Sequence, residues 1–127
     1  MEESPATTKS SIFIIEDDEP IGEVLKELLV DEGYDVHTAE NGDVALKILQ
    51  EGTYVPDLIL LDLMMPVMDG VEFRKAQLKD DRLSRIPVVL MSADKNVQIR
   101  LQELKGEDCI KKPLSVDTLL QVVSKYC

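Results

Sequence analysis

The chain has no tryptophan, and only three tyrosines and two phenylalanines among its 127 residues. None of these aromatics alternates with basic residues, so the stacking platform used to hold single-stranded nucleic acid is missing. Bases are in the minority too: 14 lysines and arginines stand against 25 acids, a formal charge of −11. That balance opposes binding to nucleic-acid phosphates, where cations must displace condensed counterions, and no direct nucleic-acid contact is expected. Cys109 and Cys127 are too few and too far apart for a thiolate metal site or a redox pair. They read as free thiols of a cytoplasmic protein. No apolar run approaches the roughly 18 residues of a membrane span, so no membrane association is expected. The first ten residues are polar and lack the apolar core of a secretory signal. Residues 1–10 are read as a flexible tail and residues 11–127 as one domain, the size of a single well-covered core.

What the sequence does contain is globular in composition, 44% hydrophobic. Five short apolar runs stand out: Ile12–Ile15, Tyr34–Thr38, Leu58–Leu61, Val88–Met91 and Cys109–Ile110. All but the second are nearly continuous, as strands covered on both faces tend to be. The second alternates, with Val36 between Asp35 and His37, and fits an edge strand. His37, the only histidine, falls on its polar side and reads as a surface residue, too isolated for phosphotransfer.

Helical patterns lie between the runs. Ile21, Val24, Leu25, Leu28 and Leu29 recur at helical spacing, with Pro20 suited to a first turn and Gly33 just past the end. Val44, Ala45, Ile48 and Leu49 form a second stripe closed by Gly52; Val97, Leu101 and Leu104 form a modest fourth; Val116, Leu119, Leu120 and Val123 form the last. Val71–Leu78 is the weakest, because Arg74 and Lys75 interrupt its apolar face. Strand and helix thus alternate five times with short connections. Right-handed crossovers turn that order into a parallel α/β sheet with helices on both faces. In such open sheets the binding crevice lies beyond the C-terminal strand ends.

The residues that follow each strand make a chemically specific set. Glu16, Asp17 and Asp18 follow the first, Asp62 the third, Ser92 the fourth, and Lys111 and Lys112 the fifth. Carboxylates that share a crevice must protonate, find cations or bind a metal. An all-oxygen site with room for water is what Mg²⁺ prefers. A lysine offers fixed positive charge to a phosphoryl oxygen, and a serine hydroxyl can donate to a second one. Each part alone has a bland reading. The acidic triplet fits a strand-to-helix turn with acids at a helix N-terminus, Asp62 a turn, Ser92 a helix cap, and the lysines surface charge. Their coincidence at four strand ends favours a site that stabilises a phosphoryl group on a carboxylate.

The same spacing resembles the receiver domains of two-component response regulators, from about Ser11 to the end of the chain. Asp62-Leu63-Met64-Met65-Pro66-Val67-Met68-Asp69-Gly70 resembles the family's DxxMPxMDG phosphoacceptor loop. Residues 14–20, IIEDDEP, resemble its first strand with the acidic pair. Residues 86–93, IPVVLMSA, resemble its fourth strand with the hydroxyl residue, and Lys112-Pro113 matches its lysine–proline pair. The resemblance implies a flavodoxin-like, doubly wound, five-stranded parallel sheet in the order 2-1-3-4-5 with five helices in three layers. It also implies that Asp62 is the phosphoacceptor, aided by Ser92 and Lys112. Mg²⁺, with Mn²⁺ as a substitute, would be held by Asp17, Glu16, Asp62 and the backbone carbonyl of Met64. The implied partners are a histidine kinase or histidine phosphotransfer protein and a downstream protein target, met by a switch at the fourth helix and fifth strand. The chain would be a monomer, with dimerisation on phosphorylation left open, and a switch rather than an enzyme.

Some positions depart from the family pattern. Cys109 stands where an aromatic residue often changes rotamer on activation, and Lys105-Gly106-Glu107 replaces the usual Gly-Ala pair. Met64 and Asp94 hold positions that influence attacking water in the family. Two other classes carry different signatures. A haloacid-dehalogenase-like phosphatase would carry Asp-x-Asp, whereas the chain has Asp62-Leu63-Met64. A phosphate-independent interaction module would usually lack one of the acids or the lysine, and all are here. No GxxxxGK[ST] or GxGxxG loop supports a nucleotide site. The same sequence suits a single-domain regulator and a receiver within a longer protein.

Overall fold

A computed structural model describes residues 10–63, 70–92, 102, 108–112 and 115–127. Its five strands are β1 (Ser11–Ile15), β2 (Asp35–Ala39), β3 (Leu58–Asp62), β4 (Val88–Ser92) and β5 (Asp108–Lys111). All neighbours run parallel, in the order β2-β1-β3-β4-β5. Every residue of β3 and β4 is buried, as are four of the five in β1. The near-continuous apolar runs have this cause: helices cover both faces, so neither side of these strands needs polar residues. Only β2 alternates, and it lies at the edge as expected.

Helices α1 (Glu19–Asp31), α2 (Gly42–Gln50) and α3 (Gly70–Leu78) follow the first three strands, and a C-terminal helix (Val116–Tyr126) follows β5. Asp18 caps α1, accepting from the Ile21 amide at 3.2 Å, and Asn41 caps α2, accepting from the Val44 amide at 2.9 Å. Gly33 ends α1 and Gly52 ends α2, with φ of +96° and +80°. Side chains with a Cβ are strained there, which is why glycine occupies both helix stops. A 3₁₀ turn at Leu83–Arg85, unexpected from the sequence, leads into β4. Four α-helices are seen among the described residues; the expected fourth helix, over 97–104, lies outside them apart from Gln102.

The sheet divides the interior into two cores. Phe13, Ile15, Leu61 and Leu90 pack with Ala45, Leu49 and Phe73 of α2 and α3. Ile12, Ile14, Leu60 and Met91 pack with Leu25, Leu29, Leu119 and Val123 of α1 and the C-terminal helix. Each fully buried leucine or isoleucine contributes about 1.5–3 kcal/mol. Adjacent residues of one strand therefore serve opposite cores, which sets the register.

At the N-terminal strand ends a polar cluster joins the loop before β3 to β1. The Ser11 amide donates to Asp57 at 2.7 Å, and Ser11 Oγ lies 2.7 Å from the Tyr54 hydroxyl. Tyr54 packs edge-on against Phe13 and lies 4.3 Å, ring to ring, from His37. His37 is exposed, as expected, and pairs with Asp35 at 3.3 Å. At the same end Cys127, exposed as a residue, meets Ser10, and partial desolvation of its thiol together with the Asp57 charge pushes it up to about 11. Neither Cys109 nor Cys127 is in a disulfide.

Candidate functional site

Parallel strands bring their C-terminal ends to one edge, so the acids after β1, the last residue of β3, the last of β4 and the lysine after β5 meet there. Pairing Asp62 with Met91, and Ser92 with Lys111, sets these ends side by side. The Lys112 amide donates to the Ser92 carbonyl at 2.9 Å, and the Glu16 amide to the Ala39 carbonyl at 3.1 Å. The backbone ladder, extended by one residue at each end, thus fixes the side chains.

Glu16, Asp62 and Ser92 are buried; Asp17 is exposed. Lys112 Nζ lies 2.9 Å from Glu16 Oε1 and 3.4 Å from Asp62 Oδ2. It bridges two carboxylates whose side chains are only 1% and 2% exposed. Burial, then the Asp62 carboxyl, raises the pKa of Glu16 to about 7, against the opposing pull of Lys112. Burial by itself would lower the Lys112 pKa, but the hydrogen bond to Glu16 and the charge of Asp62 raise it. Lys112 therefore stays an ammonium, while Glu16 is held near neutrality.

Glu16, Asp17 and Asp62 each offer an oxygen within 4.8 Å of the others, the one such group among the described residues. Fully ionised, three carboxylates against one ammonium leave two negative charges uncompensated. A divalent cation cancels them, and all-oxygen donors with one exposed member suit Mg²⁺, which keeps several waters. The residues present fit such an ion.

The expected residues thus separate by position. Glu16, Asp17, Asp62 and Lys112 converge, with Ser92 at the adjoining strand end. Asp18 instead caps α1, so the bland reading of the acidic triplet holds for one of its three members. Lys111 is exposed, and only Lys112 enters the site. Met64, Met65, Met68, Ala93, Asp94, Lys105-Gly106-Glu107 and Pro113 lie outside the described residues. Cys109 is partly buried against the α2–α3 core, and burial, then Asp108, raises its thiol pKa.

This fold with a buried, lysine-bridged aspartate beside an acidic pair defines a phosphoacceptor class of signalling domain. Comparison with known proteins agrees. The family model for the response regulator receiver domain matches residues 12–124. The chain is 33% identical to the polar-differentiation response regulator DivK of Brucella anthropi, over 91% of this chain and 94% of that one. It is 36% identical to histidine kinase P4 of Formosa agariphila over 85% of this chain, which spans only 8% of that kinase. The structure of the response regulator TrrA of Thermotoga maritima, in complex with Mg²⁺ and BeF, superposes with a TM-score of 0.80 and 32% identity, covering 93% of this chain and 99% of that one. The chain belongs to the response regulator receiver domain family.

Among the described residues no helix is long and apolar enough to cross a membrane.

Proposed function

We propose that the chain is a switch in which Asp62 accepts a phosphoryl group from a phosphohistidine of a histidine kinase or histidine phosphotransfer protein. The observation that carries this reading is the convergence of Asp62 with Glu16, Asp17 and Lys112 at the strand ends. Glu16, Asp17 and Asp62 would hold Mg²⁺, or Mn²⁺ in its place, which supplies positive charge to the transferred group; the Met64 carbonyl is the expected fourth ligand.

In the transfer an Asp62 carboxylate oxygen bonds to phosphorus as the P–N bond of the donor breaks. The donor imidazole leaves with the electron pair and takes a proton. The charge that spreads over the phosphoryl oxygens is met by Lys112, already aimed at Asp62, and by the Ser92 hydroxyl at the next strand end. Lys112 must then exchange its carboxylate partners for a phosphoryl oxygen, so the resting ion pairs prepare the position of the cation. No turnover substrate is involved: the chain assists its own phosphorylation and hydrolysis.

An apolar groove of about 400 Å³ opens beside the site between Pro20, Ile21 and Val24 of α1 and Ser115, Val116 and Leu119 of the C-terminal helix. Exposed Val24 and Val116 on its walls support docking of a protein donor there rather than a small molecule. Output through the fourth helix and β5 is the family's route. Cys109 makes it one without an aromatic switch at that position.

Incubation with acetyl phosphate and Mg²⁺, followed by intact mass, tests the reading. A single phosphoryl gain is expected, lost in Asp62→Asn and on chelation. No gain, with no beryllofluoride binding either, would leave a phosphate-independent interaction module.

A further inference from the structure

Acids outnumber bases in the chain by 25 to 14, yet two of its four arginines, Arg82 and Arg85, stand together at the 3₁₀ turn before β4. Both are exposed. They rim a groove of about 360 Å³ between this turn and the end of α2, with Leu49, Val55 and Leu83 as its apolar lining. Val55 is 68% exposed, more than any other large hydrophobic residue among those described.

The charges around the groove leave the arginines available. Asp81 is the one acid in the lining. The neighbouring Asp80 is engaged by backbone: its Oδ1 accepts from the amides of Arg82 at 2.9 Å and Leu83 at 3.3 Å. Arg82 Nε comes only within 3.9 Å of Asp80, with its side chain 63% exposed. Arg85 forms no ion pair among the described residues. An exposed pair at such a distance contributes little, so both guanidiniums keep their capacity for bidentate carboxylate contacts.

The turn that carries them is held from beneath. The Asp80 carbonyl accepts from the Ser84 amide at 2.8 Å. Gln77 of α3, fully buried, donates through Nε2 to the carbonyls of Leu83 at 2.8 Å and Ile86 at 3.1 Å, and its Oε1 accepts from buried Arg74 at 2.7 Å. Hydrogen bonds with fixed donors and acceptors set the backbone of the turn. A surface formed in advance loses less freedom when a partner binds.

We infer that this groove docks an acidic segment of a partner protein, its carboxylates on Arg82 and Arg85 and an apolar side chain beside Val55. The groove lies just before the starts of β3 and β4, at the opposite pole from Asp62. Docking there leaves the acceptor site open and is independent of phosphorylation. It is a standing attachment point, separate from the groove beside the acceptor site, and does not rest on the proposed function.

A chain of charge −11 repels acidic peptides in general, so their binding demands a local cationic site. The probe is a short synthetic peptide of glutamates around a leucine, with a lysine counterpart, followed by NMR amide shifts of the full chain. The glutamate peptide should shift the amides of Val55 and of residues 82–85, and the lysine peptide should not. Arg82→Gln and Arg85→Gln should each weaken it about fivefold, and Arg82→Glu/Arg85→Glu should abolish it. Circular dichroism should find unfolding midpoints near the parent's, because both side chains are exposed. The Kd should be the same with and without Mg²⁺ and beryllofluoride. No shift at these amides, equal shifts by the lysine peptide, or shifts that survive the double reversal overturn the inference. So does a Kd that changes with beryllofluoride. Shifts at the same amides on concentrating the chain alone would put a second copy in the groove and overturn it as well.

Discussion

Substituting Glu16 by glutamine isolates the electrostatic cost of the resting site. The folded pKa of Glu16 is about 7 against 4.5 for an unperturbed group. Between those values the folded chain holds a proton that the unfolded chain has released. Raising the pH through this window therefore removes stability, which is fully present below the unfolded value and lost above the folded one. The span corresponds to about 3 kcal/mol. Solvent reaching the site past exposed Asp17 and partly exposed Lys112 brings it to about 2 kcal/mol. For a chain of this length that is about 7 °C in Tm. Glutamine cannot ionise, so Glu16→Gln should match the metal-free parent near pH 5 and exceed its stability by this amount at pH 8. With no tryptophan to follow, circular dichroism in a denaturant series at each pH is the assay. Groups that titrate in both proteins cancel in the difference. Mg²⁺ at ten times its Kd should restore about 1.4 kcal/mol to the parent at pH 8, and less to the variant. If the two proteins show parallel pH profiles, the account of the crowded carboxylates is wrong.

Lys112→Ala removes the ammonium shared by Glu16 and Asp62. It should lower metal-free stability at pH 8 by about 2 kcal/mol in denaturant unfolding. It should also slow phosphoryl uptake from acetyl phosphate about a hundredfold by mass. Asp62→Asn should take up no phosphoryl group and, by removing the cause of the raised Glu16 pKa that ranks after burial, reduce but not abolish the loss of stability with rising pH seen in the parent. Gly33→Ala and Gly52→Ala should each cost about 1–2 kcal/mol from the left-handed backbone. The two should cost about the same, because the one atom near the new Cβ at position 52, Arg82 Nη1 at 3.1 Å, ends an exposed side chain that can move aside, and Gly33 has open space; paired denaturation curves would show it.

Much of this architecture is legible in the chain because the strongest constraints are local. Five apolar runs mark five strands to within a residue, since strands covered on both faces have no room for polar side chains. The edge position of β2 shows in its alternation. The site is legible for a related reason: a parallel sheet delivers whatever follows its strands to one edge. Hydrophobic periodicity fails at α3, where Arg74 looks like a break in the apolar face and is buried. A guanidinium can be enclosed when an amide such as Gln77 meets it, and no count of apolar residues contains that pairing. Asp18 was indistinguishable from its acidic neighbours because capping depends on backbone angles. The Ser11–Tyr54–Asp57 cluster joins segments more than forty residues apart and carries no sequence pattern.

The meeting of Ser10 with Cys127 has a consequence for how the unit can be used. Both ends of the described domain emerge together, at the pole where the strands begin, while Asp62 and its neighbours occupy the pole where they finish. The domain can therefore be spliced into a surface loop of a host protein with two short linkers. The strand ends that carry Asp62 and lead to Lys112 would then face away from the host.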